Sequence, residues 1–285
     1  MRSESNPPGD HLPLYEVRAR NTSATSENKI HDDEVAARYG FRGGLVPGVT
    51  VYAYMTVPLV ARFSDAWLER GSMQVKFHRP FYEGEQVRVR AEIDASVSPV
   101  KIAVRAERED GTVCATGLAT IDDDSEWLGP ARLENYPVHH LPPFEARPEA
   151  ARDTMVKGAP IGTLTEKLSL ADLSMLREIG ELLSIYYGEH AVAHPATLLG
   201  LANQVLMHNF MLGPWIHTAS DLINWSVARD GEEISVRGRI GDVFERKGHE
   251  FVTLDLLLAA DEARVVAQVR HTAIYRIATA SESSR

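Results

Sequence analysis

A histidine and the start of an apolar helix are the two features of this sequence that together could carry out proton chemistry. His31 lies in a polar segment, and imidazole is the side chain that exchanges a proton near pH 7. Pro47 opens an apolar stretch that predicts a helix over 48–63, because proline suits a helix start. The first N–H groups of a helix have no intrahelical partner, so the amide of Gly48 or Val49 could bind a developing oxyanion.

Several residues near His31 in the sequence are candidate members of the same site. Ser26 and Asn28 are predicted to orient a water molecule or the imidazole, as members of a catalytic group with His31. Val46 and Tyr52 flank the predicted helix start and are candidate substrate contacts. The alternative for the histidine is a structural role, as a helix-capping or hydrogen-bonded residue.

The nearby carboxylates have two interpretations. Glu27, Asp32 and Asp33 could supply a catalytic acid. Asp32 and Asp33 are also the residue type expected at the start of a short helix, which the pattern predicts over 32–40. We favour capping or solvent exposure for these two.

The sequence repeats one plan, which predicts two domains of the same architecture. A second apolar helix begins at Pro195, and the turn sequence of 82–90 resembles that of 229–237. Each helix is followed by segments with strand character: 71–80, 85–96, 99–109 and 112–122, then 217–228, 232–244, 249–260 and 263–277. We predict an α+β fold in which each half is an antiparallel sheet wrapped around a central buried helix, with the two sheets paired edge to edge.

Composition sets the predicted boundaries. Polar termini predict loose tails, and a proline-rich stretch with weak periodicity predicts a linker between the halves. The resulting division is a tail at 1–11, an N-terminal domain at 12–124, a linker at 125–158, a C-terminal domain at 159–278 and a tail at 279–285.

Bulk properties exclude several partners. The net charge is −10 and the basic residues are dispersed, so nothing predicts a nucleic-acid surface. No apolar stretch approaches the roughly 20 residues that span a bilayer, and no secretory signal is evident, so we expect no membrane insertion and a cytoplasmic location. Cys114 is the single cysteine, and its place in an alternating strand favours simple packing.

The segment from Ser26 to Gly48 resembles the signature of MaoC-like R-specific enoyl-CoA hydratases. That family has Asp-x-Asn-Pro-x-His, a short helix ending in Gly-Phe, and a glycine that opens the central helix of a hot-dog fold. The matching positions here are Asn28, His31, Ala36, Gly40, Phe41, Val46 and Gly48. Two positions differ, because Ser26 replaces the family's catalytic aspartate and Lys29 replaces its proline.

The resemblance covers most of the chain and implies a tandem, or double, hot-dog fold with its active site in the first half. It implies hydration or dehydration of a 2-enoyl or 3-hydroxyacyl group, with His31 as the base. The partner would be an acyl thioester of coenzyme A or of an acyl carrier protein. Coenzyme A or phosphopantetheine would belong to the substrate, and no other cofactor is expected.

The second half lacks this signature and is predicted to widen the cavity for a bulky acyl chain. His194, Asn203 and His217 are the candidate tunnel-lining residues, whereas packing is the favoured role for Trp215. A metal site at His194 is disfavoured because too few ligands with suitable spacing accompany it.

Two other functions and the assembly stay open. A hot-dog thioesterase is one alternative, although 48–63 contains no Asp or Glu. A catalytically degenerate acyl-CoA-binding protein is the other, because the family's aspartate is replaced by Ser26. A second copy of the chain is a candidate partner, in a homodimer.

Overall fold

The computed structural model describes residues 10–121 and 129–278, which form one long antiparallel sheet around two buried helices. The helices are α1 (Asp33–Arg38), α2 (Gly48–Phe63), α3 (Asp65–Arg70), α4 (Ser174–Glu178) and α5 (Pro195–Asn209). The strands of the first half are β1 (Asp10–His11), β2 (Tyr15–Arg18), β3 (Gly71–Phe77), β4 (Gln86–Asp94), β5 (Val100–Arg108) and β6 (Val113–Ile121). Those of the second half are β7 (Pro160–Lys167), β8 (Ile216–Asn224), β9 (Glu233–Arg246), β10 (His249–Ala260) and β11 (Arg264–Arg276).

The two halves join through one pair of strands. The sheet runs in the order β1-β4-β5-β6-β3-β8-β11-β10-β9-β7, and β2 also pairs with β4. At the junction β3 is antiparallel to β8, with Val75 opposite Ser220. The predicted edge-to-edge pairing of the two sheets is therefore present, and it brings β8 of the second half beside the first.

The helices α2 and α5 lie inside the sheet and contact each other. Their side chains are apolar on nearly every face, so burial is the arrangement that removes most apolar surface from water. Tyr52, Met55 and Leu59 of α2 belong to the same buried cluster as Leu199 and Leu206 of α5, so the halves share one core. No helix in the described ranges combines the length and apolarity needed to cross a membrane.

The predicted helices and strands are all present, with ends that differ by a few residues. The short strands β1, β2 and β7 were not predicted. Asp10 and His11 fall in the predicted loose tail but pair with β4, because the free edge of β4 offers backbone hydrogen bonds to any side-chain sequence. Residues 1–9 and 279–285 lie outside the described residues.

The described part of the predicted linker, 129–158, contains short 3₁₀ turns and packs against the second half. Tyr136 is buried beside Leu257 and Ala259, and its hydroxyl donates to Asp255 at 2.9 Å. The segment therefore connects the two halves while covering part of the sheet.

Candidate active site

A cavity with an empty volume of about 860 Å³, partly open to solvent, lies at the N-terminus of α2. The first half contributes the loop that carries His31 and the start of α2, and the second contributes Asn203 of α5 and the beginning of β8. Most of the wall is apolar, including Ile30, Leu45, Val46, Val51, Phe77 and Phe81. The site is thus a largely apolar pocket with a few polar groups, as small-molecule sites usually are.

His31 lines this cavity, and both of its ring nitrogens have a neighbour in the protein. Its Nδ1 lies 2.7 Å from the carbonyl oxygen of Leu45, and because a carbonyl only accepts, Nδ1 carries the proton and Nε2 has the lone pair. Burial lowers the pKa of His31 below its usual 6.5, while the Leu45 carbonyl partly opposes that effect. The ring is therefore neutral at pH 7 and suited to accept a proton at Nε2.

Asn28 connects this histidine to the second half. Its Nδ2 donates to the carbonyl oxygen of Trp215 at 3.0 Å, and its Oδ1 accepts from the Trp215 N–H at 3.2 Å. The same Nδ2 lies 3.4 Å from His31 Nε2. Asn28 therefore contacts the imidazole, as predicted, and also closes a buried junction between the halves.

The start of α2 borders the cavity at Gly48. Thr50 is the first residue of the helix whose N–H donates back, to Pro47 O at 3.0 Å. In the described part of the chain no group accepts from the amides of Gly48 and Val49. A Cβ at Gly48 would lie 2.9 Å from His217 Nδ1 and 3.1 Å from Phe77 Cε2, so the absence of a side chain is required here.

His217 lines the cavity next to Gly48. It belongs to a buried chain of three hydrogen-bonded polar side chains. Its Nε2 lies 2.8 Å from Ser220 Oγ, which lies 3.2 Å from His271 Nδ1. Burial lowers the pKa of His217 well below 6.5, the neighbouring His271 adds to this, and the Ala219 carbonyl partly opposes it. Burial also lowers the pKa of His271 to about 3, so both rings are neutral at pH 7.

The carboxylates near His31 do not reach the cavity. Asp32 caps α1 by accepting from Val35 N at 3.0 Å, and Asp33 accepts from Gly44 N at 2.7 Å. Glu27 forms an ion pair with Arg147. No Asp or Glu belongs to the cavity wall in the residues described, which agrees with the capping interpretation of Asp32.

Val49, Ser26 and Tyr52 were predicted to belong to the site but lie outside its wall, and Val49 lines a second cavity. Ser26 is turned away, and its Oγ donates to the carbonyl oxygen of Asn28 at 3.3 Å, so it orders the loop rather than a substrate water. Tyr52 is fully buried in the core and does not line the cavity, because its position on α2 faces the interior of the fold. The predicted direct roles of Ser26 and Tyr52 are therefore not supported by their positions.

His194 lies apart from the site and lines a second cavity, of about 1340 Å³, together with the Val49 side chain. Its Nδ1 caps α5 by accepting from Ala196 N at 3.1 Å, and its Nε2 lies 3.4 Å from Glu181 Oε2. Of the three residues predicted to line a tunnel, Asn203 and His217 lie in the wall of the first cavity and His194 does not. Within the described ranges, no three His, Cys, Asp or Glu side chains are grouped to hold a metal ion.

The sequence did not reveal the contributions of Ser220, His271 and Trp215. Ser220 and His271 are direct neighbours across β8 and β11, a relation that depends on strand register. A bulge at Thr218 interrupts the alternation of β8, so the spacing of His217 and Ser220 does not suggest a shared face. Trp215, for which packing was favoured, lines the cavity and holds Asn28 through its backbone.

The architecture and this cavity between the halves define a double hot-dog protein, and solved structures support that fold. No protein-family model matches the sequence, and no curated protein matches it significantly.

A conserved protein from Mycobacterium tuberculosis, RV0216, is described as having a double hot-dog fold. It is 14% identical with a TM-score of 0.65, and the match covers 94% of this chain and 96% of that chain. A MaoC domain protein dehydratase from Chloroflexus aurantiacus is 11% identical with a TM-score of 0.66, covering 96% and 97%. A thioesterase II from Thermobifida fusca is 15% identical with a TM-score of 0.51, covering 92% and 91%. The predicted double hot-dog fold is confirmed.

Proposed function

We propose that this chain is a MaoC-like hydro-lyase that adds water to a 2-enoyl thioester, or removes it from a 3-hydroxyacyl thioester. The observation that carries the proposal is the position of His31, whose ring has its unprotonated nitrogen at Nε2 and lines a mainly apolar cavity at the N-terminus of α2. The dehydratase named in the Chloroflexus aurantiacus structure has the same fold, which adds support.

In the hydration direction, His31 Nε2 removes a proton from water while the water oxygen forms a bond to Cβ. The electron pair of the Cα–Cβ double bond moves toward the thioester carbonyl, where the amides of Gly48 and Val49 would stabilise the enolate oxygen. The protonated imidazole then returns the proton to Cα, and the ring is again neutral. Dehydration is the reverse sequence, so atoms and charge balance in both directions.

The shape and charge of the cavity support an acyl thioester as the substrate. Its mainly apolar wall suits the hydrocarbon chain of an acyl group. His78 and Arg79 lie exposed on the rim, where Arg79 would attract the phosphates of coenzyme A or of a carrier's phosphopantetheine. Either group would enter as part of the substrate, and the chemistry described requires no other cofactor.

The test is turnover of crotonyl-CoA and 2-octenoyl-CoA, followed by the loss of enoyl-thioester absorbance and by mass spectrometry of the product. His31→Gln keeps a polar side chain but removes the base, so kcat should fall by about 10²- to 10⁴-fold. The wild-type kcat/KM should stay level near pH 7 and decline as the pH falls through the lowered pKa of His31. His190→Gln changes an exposed histidine outside both cavities and should leave the rate unchanged. An unaltered rate in His31→Gln contradicts the assignment.

A second candidate, binding without turnover, is favoured by the lack of a carboxylate in the described cavity wall. It predicts tight binding of 2-octenoyl-CoA by calorimetry, with the ligand recovered intact after hours of incubation. A thioesterase has less support, because α2 carries no Asp or Glu, and release of free thiol would be its signature.

A further inference from the structure

The cavity contains a buried polar atom for which the protein provides no partner. His217 is 7% exposed and lines the cavity, yet its Nδ1 makes no hydrogen bond among the described residues. This nitrogen lies 2.9 Å from the point where a Gly48 side chain would begin. Leaving such a group unpaired is costly, so its position indicates a ligand atom.

The hydrogen-bond chain behind the ring decides which nitrogen carries the proton. In one arrangement His271 Nδ1–H donates to Ser220 Oγ, the serine hydroxyl donates to His217 Nε2, and His217 carries its proton at Nδ1, beside Gly48. In the reverse arrangement His271 Nε2–H would be the donor without a partner, at a fully buried position outside the cavity wall. Without a ligand, each arrangement leaves one N–H unpaired, at His217 Nδ1 or at His271 Nε2. A substrate oxygen in the cavity can pair only with the N–H of His217, and because an unmet buried donor costs about 1–3 kcal/mol, a bound substrate favours the first arrangement.

We infer that His217 is a neutral electrophile that donates a hydrogen bond from Nδ1 to the carbonyl oxygen of the thioester substrate, beside the amides of Gly48 and Val49. The inference rests on the proposed function and adds a catalytic residue from the second half to it. Ser220 and His271 are positioning residues, because they act by fixing the protonated nitrogen of His217.

The packing around the ring fits this role. Phe77 contacts it edge-on, with ring centroids 4.8 Å apart, and the centroid of the His271 ring lies 4.3 Å from that of His217. These two ring contacts, together with the Ser220 hydrogen bond, restrict rotation of the His217 ring. Since a neutral donor already in place needs no reorganisation, its interaction would strengthen as the enolate forms.

Infrared spectroscopy of a bound thioester tests the contact directly. The probe is [1-¹³C]octanoyl-CoA, which is saturated and cannot be hydrated, so its labelled carbonyl reports hydrogen bonding without turnover. The stretching frequency should be lower on the wild-type protein than on His217→Leu. His217→Asn places an amide donor near the Nδ1 position and should restore most of the lowering.

Turnover of 2-octenoyl-CoA provides the second readout. His217→Leu should lower kcat/KM by about 10²- to 10³-fold, the usual effect of removing one oxyanion donor, and His217→Asn should recover much of it. Ser220→Ala keeps the ring but removes its Nε2 partner, so it should weaken the carbonyl shift. This variant also serves as the test if His217→Leu does not fold, which thermal unfolding will show.

The results separate the inference from the proposed function. An equal carbonyl frequency in the wild type, His217→Leu and Ser220→Ala, with turnover retained, overturns the inference alone. A His217-dependent shift without turnover of enoyl-CoA upholds the contact and overturns the lyase. No binding of the probe to the wild type overturns both.

Discussion

Replacing Gly48 with alanine should impair the site while leaving the fold almost intact. The new Cβ would lie 2.9 Å from His217 Nδ1 and 3.1 Å from Phe77 Cε2, whereas ordinary contacts need about 3.5–4.0 Å. The His217 ring cannot easily retreat, because Ser220 holds its Nε2 at 2.8 Å. Overpacking costs about 1–3 kcal/mol, and the better helix propensity of alanine offsets up to about 1 kcal/mol. The net loss of unfolding free energy should be about 0–3 kcal/mol.

The effect on activity should be much larger. The added methyl group occupies the approach of a carbonyl oxygen to the first amides of α2, and a misplacement of about 1 Å can cost about 10²-fold in rate. We therefore expect kcat/KM for 2-octenoyl-CoA to fall by about 10²-fold or more, while urea unfolding shows a stable protein.

Gly200 provides the matched control, since it is also a helical glycine. A Cβ there would meet nothing within 4 Å, so Gly200→Ala should raise the unfolding free energy by about 0.5–1 kcal/mol and leave activity unchanged. If Gly48→Ala keeps the wild-type kcat/KM, the oxyanion position at α2 is refuted. If both variants lose activity equally, the loss reflects a general effect of the substitution and not the site.

The remaining predictions concern stability. Asn28→Ala leaves the N–H and carbonyl of Trp215 without partners in a buried place, and should lower the unfolding free energy in urea by about 2–5 kcal/mol, whereas Ser26→Ala should change it by less than about 0.5 kcal/mol. A loss below about 1 kcal/mol in Asn28→Ala would show that the junction is unimportant. His271 stays neutral when folded but binds a proton when unfolded, because burial lowers its pKa from 6.5 to about 3. Unfolding free energy should therefore fall with decreasing pH through this range, by up to about 1.4 kcal/mol per pH unit for this residue, and His271→Leu should reduce that slope in urea titrations at pH 7, 6 and 5. An unchanged slope would contradict the neutral buried ring.

The repeated plan of the chain was predictable because it depends on local patterns. The apolar runs after Pro47 and Pro195 indicate buried helices, and alternating segments indicate the long strands. The short strands β1, β2 and β7 were not predicted, because pairing at a sheet edge depends on the neighbouring strand and not on the composition of the edge strand itself.

The candidate site was predicted in most detail on the side formed by the first half, and for the second half the prediction named Asn203 and His217 as lining residues. His31, Asn28 and Gly48 lie close together in the chain, and short segments specify their geometry. The hydrogen-bonded arrangement of His217, Ser220 and His271 depends on strand register and on a bulge at Thr218. Neither can be predicted from a local sequence pattern. Ser26 was predicted to share a role with His31 because the two are close in sequence. In the structure its hydroxyl donates instead to the carbonyl oxygen of Asn28.

The pairing of β3 with β8 has an evolutionary consequence. Because β8 of the second half pairs with β3 and the second half supplies part of the pocket wall, exchanging either half by recombination would leave that pocket open on one side. Selection on the chemistry of the pocket therefore acts on the sequence of both halves. The half that lacks the signature is under constraint as well.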